Sequence, residues 1–133
     1  MDSTAAAYDP DGALELESHP NGMRVTTLTD PTGQETSATY TSAGGGLIAG
    51  FSRSVGTDGN IVVDTGLGRA SRFGYDRAGR LTQAVSELSA AGTCTTRSYG
   101  FDDDSNRTTL DTWAGTGGAC PATTGTPTST APR

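Results

Sequence analysis

The residues with the most suggestive chemistry are the acidic run at 102–106, Asp-Asp-Asp-Ser-Asn. Its first, third and fifth residues match the first three ligand positions of an EF-hand calcium loop. Such a loop needs glycine at its sixth position and glutamate at its twelfth, where this chain has Arg107 and Trp113. We therefore interpret the run as a solvated turn and predict no metal site there.

No other polar residues assemble into a catalytic or cofactor-binding set. His19 is the only histidine, and His19-Pro20-Asn21-Gly22 has the composition of a turn, so we interpret it as an exposed bystander and not a base. Cys94 and Cys120 are too few for a structural zinc site made by protein ligands alone. Trp113 could stack on a sugar, but the thin apolar content favours a role in capping a sheet face. We predict a chain without catalytic residues or cofactors.

Composition indicates a small domain with little core material. The chain has 133 residues and a net charge of −6, and Leu, Ile, Val and Phe make up well under a fifth of it. All nine basic residues are Arg, scattered among acids, and the low pI of about 4.5 disfavours nucleic acid as a partner. No stretch approaches the roughly 20 apolar residues of a membrane-spanning helix. Met1 to Tyr8 lacks the apolar region of a signal peptide.

Alternating apolar and polar runs separated by turn residues predict strands and no helix. The predicted strands are residues 13–18, 23–29, 35–42, 47–55, 60–65, 69–76, 81–88, 93–102 and 107–113. Asn21-Gly22 predicts a type I′ hairpin turn, with both central residues at positive φ. Gly44-Gly45-Gly46 is interpreted as a flexible connection, because no helix start or lysine accompanies it as in a phosphate loop. Beyond Ala114, residues of the Gly/Thr/Ser/Pro/Ala type predict a disordered tail or linker over 114–133.

A repeated motif organises these strands. Phe73 and Tyr75 precede Asp76, and the pattern returns in Tyr99, Phe101 and Asp102, 26 residues later. A third copy begins the chain and a fainter fourth spans residues 40–44. The motif residues are Tyr8, Asp9, Gly12, Leu14, Phe73, Tyr75, Asp76, Gly79, Arg80, Leu81, Tyr99, Phe101, Asp102, Asn106 and Arg107.

Each motif residue has a structural explanation. Aromatics two apart lie on one strand face, where cross-strand pairs stabilise the sheet. Gly79 and Asn106 fall where a tight turn is expected to need positive φ. Asp76 and Asp102 are expected to accept bonds from backbone N–H groups two residues ahead. Arg80 and Arg107 are expected to pair with these aspartates.

These motifs, Tyr-Asp-x-x-Gly-x-Leu and Tyr-x-Phe-Asp-x-x-x-Asn-Arg, resemble the YD repeat, also called the RHS repeat. The resemblance is best defined over residues 69–113 and implies an all-β fold in residues 1–113. In that family, successive antiparallel β-hairpins form an open sheet that spirals into a hollow shell, which often encloses a toxin domain. No self-cleaving core motif and no toxin are recognised in this sequence.

The resemblance implies a non-catalytic structural segment of a larger secreted or cell-surface protein. Its partners would be adjacent YD repeats of the same or a parent chain, and an encapsulated C-terminal domain. The alternative is an adhesion module that binds carbohydrate or another cell surface through exposed Tyr, Trp and Asp residues. An exposed row of Tyr75, Tyr99 and Trp113 would favour it. The direction in which the motif aromatics point distinguishes the two functions.

A chain that resembles exported proteins also favours a disulfide between Cys94 and Cys120. The bond would bring the start of the tail back across the last strands and shield a sheet edge. Two free thiols in a reducing compartment are the alternative.

Overall fold

The computed structural model describes residues 3–116 and 120–132 and contains strands but no helix within them. The chain divides into two compact units, Met1–Arg53 and Ser54–Arg133. The strands are β1 (Ala5–Tyr8), β2 (Leu14–Ser18), β3 (Arg24–Thr29), β4 (Glu35–Thr41), β5 (Leu47–Val55), β6 (Ile61–Gly66), β7 (Arg69–Tyr75), β8 (Leu81–Leu88), β9 (Thr93–Phe101), β10 (Arg107–Thr116) and β11 (Ser129–Pro132). None of the described residues forms a helix long and apolar enough to cross a membrane.

Each unit is an antiparallel meander in which every strand pairs with the next one along the chain. In the first unit β1 to β4 pair in succession and β4 pairs with β5. In the second unit the pairing runs from β6 to β11 in the same way. The predicted all-β fold of successive antiparallel hairpins with open sheet edges is confirmed.

One kind of turn closes seven of the hairpins in the described residues. In each, the first residue donates its N–H to the carbonyl of the fifth, and the fourth donates to the carbonyl of the first. This pattern is a three-residue loop, a type I turn followed by one left-handed residue. The strand pairing shifts register beside most of these turns, as at Gly74/Tyr75 next to the turn that begins at Asp76. The seven turns begin at Asp9, His19, Asp30, Ser42, Gly56, Asp76 and Asp102.

The turn geometry corrects two details of the predicted hairpins. Only Gly22 has a positive φ in the Asn21-Gly22 hairpin, so the turn is not type I′. The loop has three residues, and Pro20 fixes its own φ near −65°, which suits the first loop position of a type I turn. In the last repeat the left-handed residue is Ser105, with φ of 66°, and not Asn106 as predicted. Asn106 instead occupies the position that Arg80 has after Gly79.

Small and polar side chains form most of the buried interior. Val25, Thr27 and Ala38 are buried in the first unit, and Ala84, Cys94, Thr96 and Trp113 in the second. Val85, Thr96 and Trp113 are cross-strand partners and therefore share one face of β8, β9 and β10. This interior is thin because β-branched threonines fill sheet positions where other domains place aliphatic residues.

Residues 120–132 are ordered in the structure, in contrast to the predicted disordered tail. Cys120 is joined to Cys94 by a disulfide, with their Cα atoms 5.0 Å apart. Thr96 Oγ1 donates to the carbonyl of Pro121 at 2.8 Å, and Trp113 Nε1 donates to that of Gly125 at 2.9 Å. β11 then pairs with β10, so contacts that composition does not encode hold this segment in place. We call residues 120–128 the covering segment; the tail prediction at 117–119 and 133 lies outside the described residues.

Substituting Gly79 tests the turn. Gly79 has a φ of 77°, which a β-branched residue adopts only with strain, so we expect Gly79→Val to lower the free energy of unfolding by about 1 kcal/mol or more. Gly44→Val is the matched control, since Gly44 has no positive φ and open space around a Cβ atom. Chemical denaturation measures both. Equal stability of the two variants would contradict the assigned turn.

Candidate functional site

The candidate site is the repeated turn with its aspartate. In the turn that follows β7, Asp76 Oδ1 accepts the backbone N–H groups of Ala78 at 2.9 Å and Arg80 at 3.0 Å. Both donors leave the strand ladder at the hairpin end and need a partner. A short carboxylate at the first turn position reaches both, which explains why the motif has Asp there.

The same contacts recur in the other repeats. Asp9 Oδ1 accepts the N–H groups of Asp11 and Ala13, and Asp102 Oδ1 accepts that of Asn106 at 2.8 Å. Asp30 makes the equivalent bonds to Thr32 and Gln34. The sequence predicts a turn at residues 30–33 but not a copy of the motif, because Thr29 stands where the other copies have an aromatic residue. The Asp-x-x-Gly spacing of residues 30–33 was the available signal.

The weak copy at residues 40–44 does not align with the other copies in the structure. The turn there begins at Ser42, and its left-handed residue is Gly45. Tyr40 therefore lies two residues before its turn, whereas Tyr8 and Tyr75 lie one residue before theirs. Ser42 Oγ accepts the N–H of Gly46 at 3.1 Å and so takes the place of the aspartate.

Alternation of the hairpins places the aspartate turns of each unit at one end of its strands. In an antiparallel meander, every second turn lies at the same end. The turns at Asp9 and Asp30 share an end in the first unit, where both line one surface cavity. In the second unit, the turns at Gly56, Asp76 and Asp102 share an end. The structural repeat is therefore two strands and two turns, with one turn of each pair carrying the motif.

Arg80 links two successive repeats of the second unit. Its Nε donates to Asp76 Oδ2 at 2.7 Å within its own turn, as predicted. Its NH1 reaches the next motif turn, where it donates to the carbonyl of Asp102 and to Ser105 Oγ, each at 3.2 Å. The guanidinium carbon also lies 5.0 Å from the centre of the Phe101 ring, within the range of a cation–π contact. One side chain thus fixes two turns that lie 26 residues apart in sequence.

The predicted pairing of Arg107 with Asp102 is not present among the described residues. The carboxylate of Asp102 is occupied on both oxygens by Asn106, whose backbone N–H and side-chain amide both donate to it. Asn106 can fill this role because the left-handed residue is Ser105, which leaves Asn106 in the position of Arg80.

The motif aromatics of the second unit are half-buried, whereas Tyr8 in the first unit is 62% exposed. Phe73, Tyr75, Tyr99 and Phe101 all have intermediate exposure. The Tyr75 hydroxyl donates to the carbonyl of Ile61 at 2.9 Å. Trp113 is only 7% exposed beneath the covering segment. The surface of Tyr75, Tyr99 and Trp113 that the carbohydrate alternative requires is therefore unsupported.

His19 lies beside an acid and shows no nucleophile partner among the described contacts. Its Nε2 is 3.4 Å from Glu17 Oε1, and the side chain is 28% exposed. It lines an open cavity of about 360 Å³ with Ser18 and Ser42. The Ser42 hydroxyl oxygen already accepts the N–H of Gly46. The arrangement offers no serine activated by a base.

Hydrogen bonds in the turns lower the pKa of three aspartates below the ordinary value of 3.8. The pKa of Asp76 is lowered chiefly by the backbone N–H of Arg80 and then by its guanidinium. The backbone N–H of Asn106, followed by its side-chain amide, lowers the pKa of Asp102. For Asp30, the Thr32 hydroxyl is the main cause of the lowered pKa. In each case folding favours the charged carboxylate.

The lowered pKa values predict acid sensitivity. Because these carboxylates titrate at lower pH in the folded chain than in the unfolded chain, their stabilisation is complete above about pH 5 and is lost as the pH falls below about 4 through the folded-state pKa. Asp76→Asn should flatten this fall in the free energy of unfolding, measured by urea denaturation at several pH values. Asp103→Asn removes the same charge from an exposed turn position. Identical pH profiles for the two variants would refute the assignment.

Replacing Arg80 tests the link between repeats. Lysine keeps the charge but not the planar set of donors, so we expect Arg80→Lys to lower the free energy of unfolding by about 1 kcal/mol. Arg77→Lys, at an exposed position of the same turn, is the matched control and should be neutral. Thermal and chemical unfolding measure both. Equal effects would show that the contacts of Arg80 with residues 102 and 105 do not matter for stability.

No protein-family model and no curated protein sequence matches the chain. Its fold does match solved structures. The chain aligns over 86% of its length with the Tc holotoxin pore of Photorhabdus luminescens, with a TM-score of 0.67 at 15% identity. It also aligns over 86% of its length with TcdB2-TccC3-TEV, with a TM-score of 0.66 at 14% identity. With TcdB2-TccC3-Cdc42 it aligns over 85% of its length, with a TM-score of 0.63 at 18% identity.

The chain spans only 7%, 7% and 6% of these three structures, respectively. At such low identity the likeness concerns the fold, a meander of hairpins, and the repeated turn geometry described above explains why it persists. The chain therefore shares the fold of part of these Tc toxin structures, and its sequence resemblance to the YD repeat is confirmed at the level of fold.

Proposed function

We propose that the chain is a non-catalytic structural segment of a YD-repeat shell, which pairs with further repeats and helps to enclose or present another domain. The observation that supports this most is the fold shared over 86% of the chain with Tc toxin structures. The repeated aspartate turn adds a physical reason, because a two-strand repeat closed by local bonds can be extended indefinitely.

The thin interior supports a role that depends on neighbours. Among the described residues, the fully buried side chains are small ones, Thr96 and Cys94. Leu28, Leu47 and Ile48 are half exposed or more in the first unit. A sheet that leaves aliphatic side chains in water gains stability when further strands or layers cover them.

The sheet edge at β1 is suited to strand addition. All four residues of β1 are exposed, and Ala5, Ala6 and Ala7 carry neither charge nor proline that would blunt the edge. β11, by contrast, ends at Pro132, which cannot donate a ladder hydrogen bond. We assign the β1 edge as the surface where an adjacent repeat pairs.

The lack of catalysis is proposed from how the polar residues are used. Asp76 is occupied by backbone N–H groups and by Arg80, and Asp102 by the backbone N–H and side-chain amide of Asn106. Such contacts stabilise the turns and leave neither aspartate as a free general base.

Export of the larger protein is proposed from the disulfide and the structural neighbours. A disulfide between Cys94 and Cys120 persists in oxidising compartments. The neighbours are described as parts of a Tc holotoxin pore and of TcdB2-TccC3 complexes. By analogy, the domain that this shell would enclose or present is a toxin.

Self-association of the isolated chain tests the proposed edge pairing. An unpaired β1 edge should pair with a second copy, so the sedimentation coefficient should rise with concentration. The double variant Ala5→Lys/Ala7→Lys should stay monomeric, because charged edge residues oppose strand addition. The double variant Ser129→Lys/Ala131→Lys on β11 is the matched control and should self-associate as the wild-type chain does. A wild-type chain that stays monomeric at every concentration would contradict the proposal.

A further inference from the structure

Three potential metal ligands converge beside the disulfide. The carboxylate of Glu87 and the sulfurs of Cys94 and Cys120 lie within 4.8 Å of one another, the one such group of three among the described residues. Glu87 Oε1 is 3.1 Å from Cys120 Sγ. While the two sulfurs are bonded to each other they cannot act as thiolate ligands. Reduction would convert both sulfurs into thiols beside the carboxylate.

The fold brings these ligands together independently of the disulfide. Glu87 and Cys94 are directly paired across β8 and β9, so their side chains lie on the same sheet face. The carbonyl of Pro121, next to Cys120, accepts the hydroxyl of Thr96, which is buried on that face. The Trp113–Gly125 bond and the β10–β11 pairing hold the rest of the segment. These contacts, which do not involve the sulfur–sulfur bond, favour the same ligand arrangement in the reduced chain.

Charge and space at the site suit a divalent cation. Two thiolates and one carboxylate carry three negative charges, and Arg72 offers one positive charge through its 2.7 Å bond to Glu87 Oε1. A divalent ion supplies the other two, and Arg72 orients the carboxylate by donating to Oε1, the same oxygen that lies 3.1 Å from Cys120 Sγ. Glu87 and Cys94 also line an open cavity of about 290 Å³, which provides an entry path and room for water as a fourth ligand.

We propose that the reduced chain binds one Zn²⁺ through Glu87, Cys94 and Cys120. A dithiol reductant donates two electrons and two protons to the disulfide and becomes a disulfide itself. Zinc then displaces the two thiol protons and binds both sulfurs, with the carboxylate and a water completing a tetrahedron. Zinc thereby holds the covering segment on the sheet in a reducing compartment, as the disulfide does in an oxidising one.

Cobalt and zinc titrations of the full chain test this site. With the disulfide reduced by a phosphine, Co²⁺ should give the visible absorption bands of a tetrahedral thiolate site at one ion per chain. Zn²⁺ should abolish those bands by displacement. The oxidised chain, and the Cys94→Ser/Cys120→Ser double variant under reductant, should give no bands. Absence of bands in the reduced wild-type chain overturns the proposal.

A requirement for Glu87 would distinguish the proposed zinc site from one formed by the two thiols alone. Glu87→Gln should weaken zinc binding about tenfold or more, measured by competition with a chromophoric chelator. Glu35→Gln, at an exposed position of β4, is the matched control and should not change the affinity. Equal zinc affinity of the Glu87 variant and wild type overturns the assignment of the carboxylate as a ligand.

Circular dichroism covers the case in which reduction unfolds part of the chain. Zinc should then restore the strand spectrum and raise the melting temperature of the reduced wild-type chain but not of the double cysteine variant. If zinc leaves both the spectrum and the melting temperature of the reduced wild type unchanged, the proposal is overturned.

Discussion

The bond from an aspartate carboxylate to the backbone N–H groups of its own turn is the interaction on which the rest of the structure depends. A hairpin end removes N–H groups from the strand ladder, and each must find another partner. Asp9, Asp30, Asp76 and Asp102 supply that partner within four residues. Because the solution is local, every repeat can close without help from distant parts of the chain. The lowered pKa of Asp76 and Asp102 reflects the same bonds.

Local closure also explains how the fold persists at 14–18% identity with the Tc toxin structures. A meander requires only alternating strand residues, a left-handed residue in each turn, and a carboxylate or hydroxyl oxygen that accepts the backbone N–H groups of the turn. Ser42 and Ser105 show that other residues can meet the last two requirements. Few specific core contacts constrain the sequence, because the interior is built largely from small side chains and threonines.

The second unit adds longer-range contacts to this local scheme. Arg80 joins two successive motif turns, and the covering segment closes one face of β8–β10 over Trp113. The disulfide closes a loop across 26 residues, worth about 3–4 kcal/mol in the chain-entropy model. For a sheet with so little aliphatic interior, such a constraint is a substantial part of a typical domain stability of 5–15 kcal/mol.

The sequence by itself determined the strands and most of the turns, because both are encoded locally. Alternation placed eight strands within about a residue of their ends, and β10 continues three residues beyond its predicted end at Trp113. The Asp-x-x-Gly spacing located Gly79 at positive φ. The sequence did not show whether Ser105 or Asn106 takes the left-handed position of its turn. Both residue types are common in turns, and only the hydrogen-bond register distinguishes them. Tertiary structure alone decided the strand β11, the reach of Arg80 to Ser105 and the meeting of Glu87 with Cys120. Those contacts join residues 17 to 33 positions apart, and their partners are selected by packing across the sheet rather than by any pattern within one strand.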